Sequence, residues 1–177
     1  RYWKWFIGIS VVLLATVLIP GVGMKLNGAR RWFSLSVMTF QPSEAAKLLM
    51  IVGISGWIVH AREKIGTFTH GFLPGALLAG SAIGLIALEP DLGSAGLLAI
   101  VLGALLFVGG VKVKYVLPSA LVTAPLVALF AYNKLGYVRA RVEQWLAGTP
   151  DPLGAGYHIT QAMMAQGSGG MFGVGLG

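Results

Sequence analysis

Long apolar runs separated by short polar clusters set the pattern of this chain. A helix that crosses the hydrocarbon core of a bilayer needs roughly 20 mostly apolar residues. Five segments approach that length, at about 5–24, 43–61, 72–88, 92–109 and 115–132. The first stands behind Tyr2, Trp3 and Lys4, an aromatic and basic mixture that anchors a helix end among lipid headgroups, and it leaves at Pro20, Gly21 and Gly23. The second begins at Gln41-Pro42-Ser43-Glu44, with Ser43 as an N-cap, and ends before Arg62, Glu63 and Lys64. Only Glu89, Pro90 and Asp91 join the third to the fourth, which makes the two an antiparallel hairpin. The fifth carries Pro118 and Pro125, each of which removes a backbone hydrogen bond and can bend the helix. The pattern predicts an all-α integral membrane fold.

Beyond Tyr132 the character changes. Residues 133–148 mix Lys134, Arg139, Arg141, Glu143 and Gln144 with Trp145, an amphipathic stretch suited to the membrane interface rather than to spanning. From Gly154 to Gly177 the chain is rich in glycine, and irregular backbone of that kind survives at membrane depth only when buried in protein or lining a wet cavity. The expected organisation is therefore five transmembrane helices over 1–132 and an interfacial, glycine-rich loop region over 133–177. No repeat with a period of 20 to 50 residues is visible.

Composition sharpens this reading. Of 177 residues, 56% are hydrophobic and only 11% charged, and the mean hydropathy is +0.79, so lipid rather than water is the main solvent. The absence of cysteine excludes a disulfide framework and any Cys-based zinc or redox site. A net charge of +7 suits headgroups and anionic ligands. It does not indicate nucleic acid, because the cations lie in short loops between apolar runs. Those cations divide evenly. Arg1, Lys4, Arg62, Lys64, Lys112 and Lys114 fall on one side, and Lys25, Arg30, Arg31, Lys134, Arg139 and Arg141 on the other, so the positive-inside rule assigns no orientation. The chain opens on Arg1 with no signal peptide before its first apolar run, and is expected to begin inside a longer protein.

Six acids remain to be weighed for chemistry. Glu63, between Arg62 and Lys64, reads as a solvated surface group, and Glu143 as an interfacial partner of Arg139 and Arg141. Glu44 and Lys47 are three residues apart, share a helix face and can pair where a lone charge is costly. Glu89 and Asp91 flank Pro90, with Asp91 capping the helix that starts at Leu92, or either one reaching Lys47 at the same membrane face. Asp151 stands between Pro150 and Pro152, held on stiff, nonhelical backbone. It is either a turn residue or, with Arg139 and Arg141 before it and Tyr157, His158 and Gln161 after it, a general base. His158 is the rival base, while His60 and His70 read as loop or interface residues. Arg30 and Arg31 beside Trp32 are either headgroup anchors or a recognition pair for a diphosphate, which guanidinium groups bind through bidentate, charge-assisted hydrogen bonds.

Taken in order, five motifs resemble a known family. Gly28-Ala-Arg-Arg-Trp32, Gln41-Pro-Ser-Glu44 with Lys47, Glu89-Pro-Asp-Leu-Gly93, Asp151-Pro-Leu-Gly-Ala-Gly-Tyr157 with Gln161, and Gly167-Ser-Gly-Gly170 with Gly173-Val-Gly-Leu-Gly177 are similar to the signature of the SEDS family (shape, elongation, division and sporulation). The resemblance implies a ten-helix bacterial peptidoglycan glycosyltransferase of the inner membrane that polymerises lipid II beside a class B penicillin-binding protein. This chain would be a fragment of it, carrying the third to seventh helices and most of the large extracytoplasmic loop. Asp151 would be the family's essential loop aspartate, acting as catalytic base, and Lys47 an intramembrane lysine paired with an acid. Arg30, Arg31, Gln41, Glu44, Lys47, Asp91, Arg139, Arg141, Tyr157, His158 and Gln161 would contact lipid II or the undecaprenyl diphosphate-linked glycan, all on the outward face. No cofactor is evident and no metal ligand set is assigned, with a divalent cation left open as a helper. Between the two best-known branches, Glu89-Pro90 and the Gly173–Gly177 ending look more like FtsW and Tyr157-His158 more like RodA, and the balance leans to FtsW.

Two other functions fit the same cavity and charge. A flippase for a lipid-linked precursor would use kinked helices and buried charge without bond chemistry. A non-catalytic scaffold bundle of the division machinery would use the loop charges only to dock partners.

Overall fold

The structure, a computed structural model, describes residues 2–26, 29–35, 38–147, 157–170, 173 and 175. Seven α-helices and three short strands follow one another: α1 Trp3–Leu18, β1 Met24–Leu26, β2 Ala29–Leu35, β3 Met38–Phe40, α2 Pro42–Ala61, α3 Leu73–Leu88, α4 Leu92–Val108, α5 Val113–Lys134, α6 Gly136–Ala147 and α7 Tyr157–Gly169. A 3₁₀ turn at Arg62–Lys64 and a π-type turn at Phe68–Phe72 link α2 to α3. The segments Pro42–Lys64, Phe68–Leu88 and Val113–Lys134 are long and apolar enough to cross a membrane. Two further apolar helices, Trp3–Leu18 and Leu92–Val108, are shorter.

The chain divides into two compact units, Arg1–Ser119 and Ala120–Gly177. The first is built on an antiparallel pair, α1 against α2, with α3 and α4 packed beside it. Its core holds Leu14, Met50, Ile54, Ile86, Leu98 and Leu102, all essentially inaccessible. The helices approach closely because small residues face their neighbours. A Cβ on Gly53 would stand 2.5 Å from Cγ1 of Ile7, and one on Gly56 would stand 2.7 Å from Cβ of Trp3. Gly75 likewise receives the Trp57 ring and Leu106. With lipid tails as apolar as leucine, such close packing replaces the hydrophobic effect as the force that joins helices. Near the far end of the same pair, the buried Ser10 hydroxyl donates to the Ala46 carbonyl at 3.1 Å. Ile9, Val12, Leu48, Val52, Leu77, Leu97 and Ile100 point outward, as lipid-facing positions do.

Two differences from the sequence reading stand out. The first helix stops at Leu18, before Pro20, instead of running to Met24. The segment that follows is an antiparallel three-stranded sheet in the order β1-β2-β3, with Leu26 paired to Ala29 and Leu35 to Met38. The second unit contains the rest of α5, then α6 and α7. The amphipathic stretch after Tyr132 is thus helical over Gly136–Ala147 and well exposed, with Trp145 at 77%.

The glycine contacts predict a graded response. Gly53→Leu should overpack the α1–α2 seam at a cost of about 1–3 kcal/mol. It should lower the thermal midpoint in detergent, whereas Gly80→Ala, which meets nothing within 4 Å, should leave it nearly unchanged.

Candidate functional site

At the end of the first unit where α2 begins, β2 lies against α1 and α2 and meets the α3–α4 turn. Arg31 makes that junction. Its Nε donates to the Glu89 carbonyl at 2.8 Å and one terminal amine donates to the Pro90 carbonyl. The guanidinium also lies 4.0 Å from the Asp91 carboxylate, with both side chains largely covered. The two carbonyls lie just past Leu88, the last residue of α3, at the negative end of the helix dipole. A planar fork of donors suits such a pair.

The turn itself is held from within. Asp91 accepts a hydrogen bond from the Ser94 backbone N–H at 3.1 Å and so caps α4. Glu89, the residue after α3, is 0% exposed, and both of its carboxylate oxygens lack a hydrogen-bond partner among the described residues. Burial, and then the Asp91 carboxylate, push its carboxyl up from an ordinary 4.5 to about 7, against the opposing pull of Arg31. A buried acid close to neutral is where proton chemistry or a polar ligand finds a handle.

Other candidates of this unit lie along the sheet and the first turns of α2. Arg30 is half-buried on β2 and, as the neighbour of Arg31, projects from the opposite face of the strand. Gln41 donates from Nε2 to the Ser43 hydroxyl at 2.9 Å. Lys47 pairs with Glu44 at 2.9 Å, on the helix face where their spacing puts both. Neither Glu89 nor Asp91 pairs with Lys47: Arg31 takes the turn instead.

In the second unit, Arg139 binds Glu143 at 2.6 Å along α6. The hydrogen bond and opposite charge of Glu143 raise the Arg139 pKa above its ordinary value. Arg141 lies over the Tyr137 ring, 5.9 Å from its centroid. Tyr157, His158 and Gln161 belong to α7, with Tyr157 and Gln161 exposed. Asp151, with Pro150, Pro152 and Gly28, lies outside the described residues. No group of three or more His, Asp or Glu side chains that could hold a metal ion occurs among the described residues.

The sequence reading did not single out Arg31 as the partner of the turn, nor Glu89 as its buried acid. The one available signal was the hairpin itself, which places Glu89 at the end of an apolar run, but burial cannot be read from that position.

Against known proteins, the whole chain, residues 1–177, matches the FtsW/RodA/SpoVE family model, described as cell cycle protein. The chain belongs to the FtsW/RodA/SpoVE family. Its curated relatives include a probable peptidoglycan glycosyltransferase FtsW of Allochromatium vinosum, 36% identical over 100% of this chain and 44% of that protein. Another of the same name, from Legionella pneumophila, is 40% identical over 94% of this chain and 42% of that protein. The chain thus spans less than half the length of these relatives. Among solved structures, a peptidoglycan synthase complex described as coordinating polymerization and crosslinking superposes with a TM-score of 0.70 at 34% identity, covering 96% of this chain and 49% of that one. The crystal structure of the rod shape determining protein RodA of Thermus thermophilus gives a TM-score of 0.57 at 32% identity, covering 71% and 40%. As in these family members, the fold is that of a helical integral membrane protein.

Glu89 supplies a test. The folded state holds its proton more tightly than the unfolded chain, so its contribution to stability is complete below about pH 4.5 and is lost as pH rises through about 7. The thermal midpoint in detergent should fall across that window, and Glu89→Gln should flatten the fall. A variant with the same pH profile as wild type would assign the slope to other groups.

Proposed function

We propose that this chain is part of a peptidoglycan glycosyltransferase that polymerises lipid II, with its site on the outward face of the bacterial inner membrane and a class B penicillin-binding protein as partner. The observation that carries the reading is the family match over residues 1–177, together with relatives named as probable peptidoglycan glycosyltransferases. The resemblance to the peptidoglycan synthase complex supports the partner. The branch is FtsW, acting in division, in line with the names of those relatives.

The reaction is a displacement at an anomeric carbon. A sugar hydroxyl of incoming lipid II attacks that carbon, the C–O bond to undecaprenyl diphosphate breaks, and the diphosphate departs with the electron pair. Asp151 takes the hydroxyl proton as general base. The charge growing on the diphosphate calls for cations, for which Arg30, Lys47, Arg139 and Arg141 are the candidates. Gln41, Glu44, Asp91, Tyr157, His158 and Gln161 are the proposed polar contacts to the sugars and phosphates. Arg31, whose donors are already engaged by the α3–α4 turn, positions that turn rather than meeting the leaving group.

Purified complete protein should polymerise lipid II in detergent, where transport between leaflets has no meaning. Asp151→Asn should lower glycan formation by at least about 100-fold, the scale of a lost general base, while lipid II still binds. Near-normal turnover in that variant would remove Asp151 from the chemistry. Absence of polymerisation by the wild-type protein with its partner present would favour the flippase.

A further inference from the structure

The opposite end of the α1–α2 pair carries a second polar concavity. Trp3, Lys4, Gly56, Val59, His60 and Arg62 line a pocket of about 450 Å³. α2 has 20 residues, and at about 1.5 Å per residue it holds this pocket roughly 30 Å from the Arg31 junction. The pocket therefore lies at the other membrane face and takes no part in the chemistry proposed above.

Its construction follows from the packing. Gly56 has no side chain, so the Trp3 side chain settles against the α2 backbone, and the indole stands beside the His60 ring with centroids 5.7 Å apart. Lys4 reaches over the Trp3 ring at 5.6 Å. Arg62 follows the last turn of α2. Neither Lys4 nor Arg62 has a carboxylate partner among the described residues, whereas the cations Arg31 and Lys47 at the other end both do. Two exposed cations, an indole wall and an apolar edge at Val59 provide charge for an anion and a greasy surface beside it. Val59, 68% exposed, opens this apolar side of the pocket to the protein surface.

We propose that this pocket binds the phosphate of an anionic phospholipid, with Lys4 and Arg62 on the phosphate oxygens and the acyl chain along Val59. A phosphodiester on a lipid matches both halves of the lining, because charge alone would be met by a soluble phosphate and the apolar edge alone by any neutral lipid.

The complete protein, purified from membranes and exchanged into mixed micelles with phosphatidylglycerol or phosphatidylcholine, can be weighed by native mass spectrometry. Phosphatidylglycerol should be retained selectively, and Lys4→Gln with Arg62→Gln should reduce its occupancy about tenfold, with an unchanged thermal midpoint showing that the fold is intact. The control Lys112→Gln with Lys114→Gln removes the same charge outside the pocket and should retain the lipid. Equal retention of phosphatidylcholine, equal loss in the control pair, or no loss in the pocket pair would each overturn the proposal. Displacement by inorganic phosphate at equal concentration would reassign the site to a soluble phosphate and overturn its lipid half.

Discussion

Arg31 donating to the carbonyls of Glu89 and Pro90 is the interaction on which the end of the first unit around the α2 N-terminus depends. Without it, the turn after α3 would present carbonyls with no donor from this strand, and the sheet, which also lies against α1 and α2, would lose its tie to the α3–α4 hairpin. The guanidinium serves both ends because it carries several donors in one plane. The link spans 58 residues of sequence. It fixes one strand to one helical hairpin and sets Arg31 beside the turn that carries Glu89 and Asp91. A lysine there would bring its donors on a single nitrogen, without the planar fork by which Arg31 reaches the two carbonyls from separate atoms.

Behind this junction the framework is set by the membrane as solvent. The residues that hold α1 to α2 and α2 to α3 are glycines and small polar groups, while large apolar side chains are distributed between a narrow core and the lipid-facing surface. That arrangement inverts the economy of a soluble bundle, in which large side chains meet at the seam. It also explains why burial of Glu89 has consequences. A carboxyl with no partner in such surroundings resists ionisation, and the Asp91 charge close by adds to that resistance.

The helices were legible because their signal is length and hydropathy, which a single sequence carries in full. Local electrostatics was legible as well: the spacing of Glu44 and Lys47, that of Arg139 and Glu143, and the position of Asp91 before Leu92 each become the expected pair or cap. The sheet was not found, although Asn27-Gly28 in the sequence is a strong short hairpin signal. Attention to Arg30 and Arg31 as ligand groups masked their place in a strand. The alternation of Arg31 and Arg30 between faces follows only once that strand is known. Helix order alone offers Lys47 on α2 as a partner for the α3–α4 turn, whereas the structure supplies Arg31 from β2. Long-range pairs of this kind depend on how chain segments fold back, and nothing local marks them.

The even split of cations between the two faces defeats an orientation rule that counts charges, but the structure separates cations that are engaged from cations that are not. Within the first unit, both ion pairs of the described residues sit at the α2 N-terminal end, where Arg31 meets Asp91 and Lys47 meets Glu44. At the other end Lys4 and Arg62 have no acidic partner among the described residues, and Lys114 lies over the ring of Tyr115. Cations engaged by protein contribute little to the field at the membrane surface, because their charge is compensated within a few ångströms. Unpaired ones act on the headgroups in full, and an anionic leaflet attracts each by about 1 kcal/mol. Among the described residues of the first unit, Lys4 and Arg62 thus stay free to act on headgroups at one end, while Arg31 and Lys47 at the other are held by acids.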